Sequence, residues 1–161
     1  MKVLWTAFAL TSALLVQSAL GQLAPGQARL FDPFLLVLVY CALTRGEAFG
    51  MLAGGAAGWI QDILFGGRVL GLSGLTKVLL GFGVGLAGSR FLLTSTGART
   101  LVLLVTTIAD ALLHRWLAAV FDVPTLELSP SALLTRATVN AVLGVVSFGV
   151  VDRRLLGERR A

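Results

Sequence analysis

Apolar residues run through this chain in long stretches, and polar ones gather in the short breaks between them. Six stretches stand out, at residues 3–23, 31–43, 47–64, 71–93, 100–121 and 131–151. Most reach the roughly 20 residues that carry a helix across a hydrocarbon core about 30 Å thick. The second does not: its 13 residues rise only about 20 Å as a helix, so it is expected to tilt, thin the bilayer or be shielded by protein. Asp32-Pro33 opens it, with Asp as N-cap and Pro in the first turn. Pro25 and Gly26 mark a turn before it, and Thr44-Arg45-Gly46 a tight break after it. Gly66-Gly67-Arg68 and residues 94–99 read as loops, and residues 122–130, with two prolines and two acids, lie outside the hydrocarbon. The first stretch follows Lys2 and contains Ala19-Leu20-Gly21, which resembles a signal-peptidase site. Its apolar run is long and its positive flank minimal for a signal peptide, so it is read as a retained helix. No internal repeat is visible.

Composition strengthens this picture. Of 161 residues, 57% are hydrophobic and 13% charged, with a mean hydropathy of +0.90, whereas soluble domains carry about 25% charged residues. The predicted fold class is all-α: a polytopic membrane helix bundle forming one domain over residues 1–151, followed by a basic tail at 152–161. That leaves no length for a soluble catalytic module. The net charge of +5 does not imply nucleic acid, since no basic helix with interleaved aromatics is present; a tail beside anionic lipid accounts for it. With the N-terminus inside, the cytoplasmic ends collect Lys2, Arg45, Arg90, Arg99, Arg153, Arg154, Arg159 and Arg160, against Arg29 and Arg68 outside, a bias that orients the chain. Cys41 has no cysteine to pair with.

Two helices carry glycine in register: Gly50, Gly54 and Gly58 in the third stretch, and Gly74, Gly81, Gly85 and Gly88 in the fourth. Such spacings stack on one helix face, and small residues let helices approach closely where lipid offers no hydrophobic drive. A packed hairpin of stretches three and four is expected. Intramembrane charges are costly and usually face protein. Depth arithmetic pairs Asp62 with Lys77, which lies roughly 9 Å inside the outer end of its helix at 1.5 Å per residue; the alternative is that both reach toward headgroups. The same reckoning levels Asp110 with Asn140 and His114 with Arg136, giving a buried polar cluster between stretches five and six. A structural role for it is expected ahead of a proton relay through Asp110 and His114. Arg115 is expected to snorkel or face a polar pocket. One histidine with scattered acids makes no metal site, and neither a nucleophile with its base nor a phosphate-cradling loop appears. No catalytic residue and no cofactor is expected.

Residues 31–91 carry a more specific pattern: the Asp-Pro entry, the Arg-Gly break, Gly58-Trp59-Ile60-Gln61-Asp62-Ile63-Leu64, then Gly66-Gly67, Leu70-Gly71-Leu72, Lys77 and Gly81-Phe82. This resembles the rod shape-determining MreD family. The resemblance implies five or six spans in the bacterial inner membrane, both termini cytoplasmic, and no enzymatic activity. It also implies a scaffolding role in the cell-elongation complex that builds lateral peptidoglycan. Its implied partners are an MreC-like protein, a RodA-like glycosyltransferase, a penicillin-binding transpeptidase and, indirectly, MreB filaments. In the resemblance Gln61, Asp62, Gly71, Lys77 and Gly81 look structural. The family is similar in fold to the substrate-binding subunits of energy-coupling-factor vitamin transporters. A vitamin-binding subunit, docking through Ala9 and Ala13 and using Trp59 and Trp116, is therefore the alternative function.

Overall fold

The computed structural model describes residues 2–28, 30–65, 69–91, 95–124 and 129–158, excepting the side chains of 2, 3, 25 and 154–158. The described residues form α1 (Lys2–Leu23), α2 (Pro25–Ala28), α3 (Pro33–Arg45), α4 (Glu47–Leu64), α5 (Leu72–Arg90), α6 (Thr96–Val120) and α7 (Pro130–Glu158), with no strand. Asp32 caps α3 as its residue type predicts, its carboxylate accepting the Leu35 N–H. Gly46 separates α3 from α4 at φ +85°, a conformation open to glycine and strained for other residues. The chain therefore reverses there without a loop.

Several boundaries differ from the apolar pattern, α5 among them, which ends at Arg90 with Phe91 extended, short of residue 93. Pro25 and Gly26 lie in a single helical turn, α2, where a plain turn is expected. Of the segment expected as a polar loop, residues 96–99 are helical, because Ser95 caps α6 by accepting the Ala98 N–H and so starts the helix ahead of the hydrophobic run; residue 94 lies outside the described residues. At the other end, α7 passes Val151 and continues to Glu158, since Asp152 and Arg153 continue a helix as readily as they end a span.

Short α3 lies at the centre. Phe34, Leu35, Leu38 and Val39 are fully buried, and α1, α4, α5, α6 and α7 all pack on it. Of the three ways a 13-residue helix can be accommodated, shielding by protein is the one observed. The α4–α5 pair forms the most extensive interface, α6 and α7 form a second pair, and α1 lies on the outside, held mainly by α3. Leu36, Leu80, Leu103, Ala141 and Phe148 join α3, α5, α6 and α7 in the main core. Leu10 and Ala13 of α1 meet Phe34 and Ala57 in a smaller one.

Solvent preferences run inside out. Large apolar residues such as Leu15, Leu101, Val105, Leu112 and Val146 are exposed, while Asp32, Asp62, Lys77, Asp110 and Asn140 are buried. A water-soluble protein does the opposite; a helical bundle in lipid requires this arrangement, and the chain is a multi-pass membrane protein. Five helical segments among the described residues are long and apolar enough to span: Leu4–Leu23, Gly26–Arg45, Leu72–Arg90, Thr96–Val120 and Pro130–Arg153. Six spans are expected from the sequence; α4 misses the measure although it has 18 residues. Glu47, Gln61, Asp62 and four glycines dilute its apolarity, which is tolerable because its polar face packs on α5 and α3.

Candidate functional site, a buried four-charge cluster

Every long helix except α1 contributes to one polar cluster inside the bundle. Its hub is Asp32. The Oδ1 atom accepts from the Leu35 N–H at 3.1 Å and from Gln61 Nε2 of α4 at 3.1 Å. The Oδ2 atom accepts from Lys77 Nζ of α5 at 3.0 Å and faces Arg136 Nη2 of α7 at 3.5 Å. The Asp32 backbone N–H donates to Asn140 Oδ1 of α7 at 3.0 Å. Asp110 of α6 closes the ring, with Oδ1 3.3 Å from Lys77 Nζ and Oδ2 3.0 Å from Arg136 Nη2. Two carboxylates and two cations alternate, so the cluster is formally neutral. The Lys77, Asp32 and Asp110 side chains are only 3%, 6% and 9% exposed, so each charge depends on its protein partners for what water would otherwise supply.

The expected pairing of Asp62 with Lys77 is not what the structure contains. Lys77 turns to Asp32 and Asp110, whereas Asp62 caps α5 from the neighbouring helix. Its Oδ2 accepts from the N–H groups of Gly71 at 2.9 Å, Ser73 at 3.1 Å and Gly74 at 3.3 Å. The reason lies in Gly71, the α5 N-cap residue, which sits at φ +97° and has no side chain with which to cap. The first N–H groups of a helix lack intrahelical partners, and in a membrane interior a carboxylate from α4 answers them at the positive end of the α5 dipole.

Of the residues expected between stretches five and six, Asp110 and Arg136 meet directly, and Asn140 joins the same cluster through Asp32. His114 does not level with Arg136 in a contact: it is half-buried one turn from Asp110 and makes no hydrogen bond among the described residues. Arg115 is exposed on the outside of α6. Asp32 is the residue that sequence reasoning undervalued. Its capping pattern was legible, but a cap satisfies only part of a carboxylate, and the rest accepts from Gln61 and Lys77.

Glycines bring the cluster's helices together. A Cβ at Gly50 would lie 2.5 Å from the Gly81 carbonyl oxygen, and Cβ atoms at Gly54 and Gly58 would strike the backbone at Lys77 and at Ser73–Gly74. Gly85 abuts the backbone of Glu47. Gly74 also faces α4, lying under the Trp59 ring, whereas Gly88 turns elsewhere, beside Leu43 of α3. Gly144 of α7, unremarked in the sequence, leaves room for Leu103 and Leu36.

A family model described as rod shape-determining protein MreD matches residues 1–148. No curated protein and no solved structure matches the chain, so the expected likeness to vitamin-transporter subunits rests on the sequence resemblance alone.

Proposed function

The chain belongs to the MreD family of rod shape-determining proteins, and from that membership we propose that it is a non-enzymatic scaffold of the cell-elongation complex. In this reading it sits in the bacterial inner membrane with both termini cytoplasmic. It holds an MreC-like protein, a RodA-like glycosyltransferase and a penicillin-binding transpeptidase in one assembly, with MreB filaments linked indirectly, and so supports lateral peptidoglycan synthesis.

The observation that carries this reading is where the polar groups point. Asp32, Lys77, Asp110 and Arg136 satisfy one another across four helices, and the outward faces of α1, α6 and α7 are lined by apolar side chains. A bundle whose charges are spent on fixing its own helices, and whose apolar faces look outward, suits helix-to-helix contact better than turnover. Family membership favours the scaffold over the vitamin-binding alternative. The basic residues at Lys2, Arg45, Arg90 and Arg99 support the cytoplasmic placement of those helix ends.

Depletion in a rod-shaped host is expected to produce rounded cells, and wild-type chain supplied in trans to restore the rods. An affinity-tagged chain extracted in mild detergent is expected to bring the MreC-like protein with it. Rods that persist after depletion, or recovery of the chain without MreC-like and RodA-like proteins when all are co-expressed, would defeat the proposal.

A further inference from the structure

The outermost helix leaves a cleft. α1 and α7 both flank α3 yet make no close backbone contact with each other, and the space between them is a cavity of about 300 Å³ floored by α3. Phe8, Leu36, Val37 and Phe148 give it an apolar wall along most of its length. Its two ends differ. Val16, Phe31 and Pro33 line one, while Thr6, Tyr40 and Arg45 line the other, where α1 begins and α3 ends.

We propose that this cleft binds one anionic phospholipid, an acyl chain lying along α3 and the phosphate meeting Arg45. Three features select this occupant. A groove that is apolar along most of its length, with Arg45 at one end, matches a molecule with one charged end and one hydrocarbon end. Its volume falls at the small-molecule end of binding pockets, about 300–1,000 Å³. The cation is also held in place: Arg45 Nη1 donates to Thr6 Oγ1 at 2.6 Å, and its guanidinium lies 4.6 Å from the Phe49 ring centroid. A guanidinium offers five N–H donors in a rigid fork suited to phosphate oxygens.

The nearby carboxylate does not oppose an anion there. Asp152 accepts from the Tyr40 hydroxyl at 3.0 Å and is ion-paired with Arg99, so its charge is compensated within the bundle. Arg153, exposed on α7 just beyond Val151 of the cavity wall, adds positive potential at the same end. Arginines at helix ends lie at headgroup level, and the proposed cytoplasmic location of the Arg45 end places the site in the leaflet whose anionic lipids attract basic segments. The site stands apart from the scaffolding role; either is testable without the other.

Native mass spectrometry of the full-length chain in mild detergent tests this, with phosphatidylglycerol or phosphatidylcholine added as the probe. One phosphatidylglycerol per chain is expected to survive conditions that strip phosphatidylcholine. Arg45→Gln is expected to reduce phosphatidylglycerol retention on the order of tenfold, as for loss of one charge-assisted contact, and Arg45→Lys to restore part of it. Ser147→Phe, which places a ring in the cleft from the α7 side, is expected to lower retention of both lipids. Equal retention of the two lipids by the unaltered chain overturns the proposal, as does undiminished phosphatidylglycerol binding in Arg45→Gln. Elution volume and melting midpoint are followed for each variant, so that Arg45→Gln still decides the matter should Ser147→Phe unfold.

Discussion

Replacing Lys77 by methionine tests whether the four charges act as one unit. Methionine keeps most of the length and apolar bulk of the side chain while removing the ammonium that lies 3.0 Å from Asp32 and 3.3 Å from Asp110. Two acids then share Arg136 alone, and the formal charge of the buried cluster moves from zero to minus one. Removing one partner of a buried ion pair typically costs about 3–5 kcal/mol, because the remaining charge stays buried without compensation. On the scale of roughly 2–4 °C per kcal/mol for soluble chains of this size, the melting midpoint should fall by about 6–20 °C. Adding Asp110→Asn returns the cluster to neutrality, leaving Asp32 with Arg136 3.5 Å away. The double variant should therefore be more stable than the sum of the single losses allows, by at least about 1.5 kcal/mol, well beyond the 0.3–0.5 kcal/mol within which independent sites add. Heating in detergent followed by size-exclusion chromatography reads all four corners of the cycle. Additive losses would falsify the unit, as would a Lys77→Met midpoint equal to that of the parent.

Other substitutions probe neighbouring features by the same melting assay. Gly54→Leu, whose Cβ would run into the Lys77 carbonyl, should cost about 1–3 kcal/mol through forced separation of α4 and α5. Gly83→Ala, whose Cβ meets nothing, should be neutral or stabilising by up to about 1 kcal/mol; equal losses at the two positions would remove the packing argument. Asp62→Ala should cost about 1–3 kcal/mol by leaving the first N–H groups of α5 without an acceptor, and Asp62→Asn, which still accepts, should lose less. Arg99→Gln breaks a partly exposed pair, 23% and 28% accessible, and should change stability by no more than about 1 kcal/mol. His114→Gln should leave rod-shape complementation intact, and loss of shape in that variant alone would revive a proton relay with Asp110.

The sequence by itself determined the environment and most of the helices. With 57% hydrophobic and 13% charged residues, no packing of this chain covers itself with polar groups, so lipid as solvent follows from composition. The α4 range of Glu47–Leu64 was legible to the residue because Gly46 and Glu47 break and reopen the helix locally. The Gly50–Gly54–Gly58 face was legible because periodicity along one helix is a property of the sequence. The tertiary structure alone decided which charges meet. Depth reckoning orders residues along a helix but says nothing of the direction in which a side chain points around it. Asp62 and Lys77 share a depth and a hairpin, yet one caps a glycine-opened helix and the other reaches across the bundle. Asp32, read as a cap, serves α3, α4, α5 and α7 together because short α3 became the central helix. That placement results from five neighbours competing to bury their inner faces, a constraint found in no single segment of the chain.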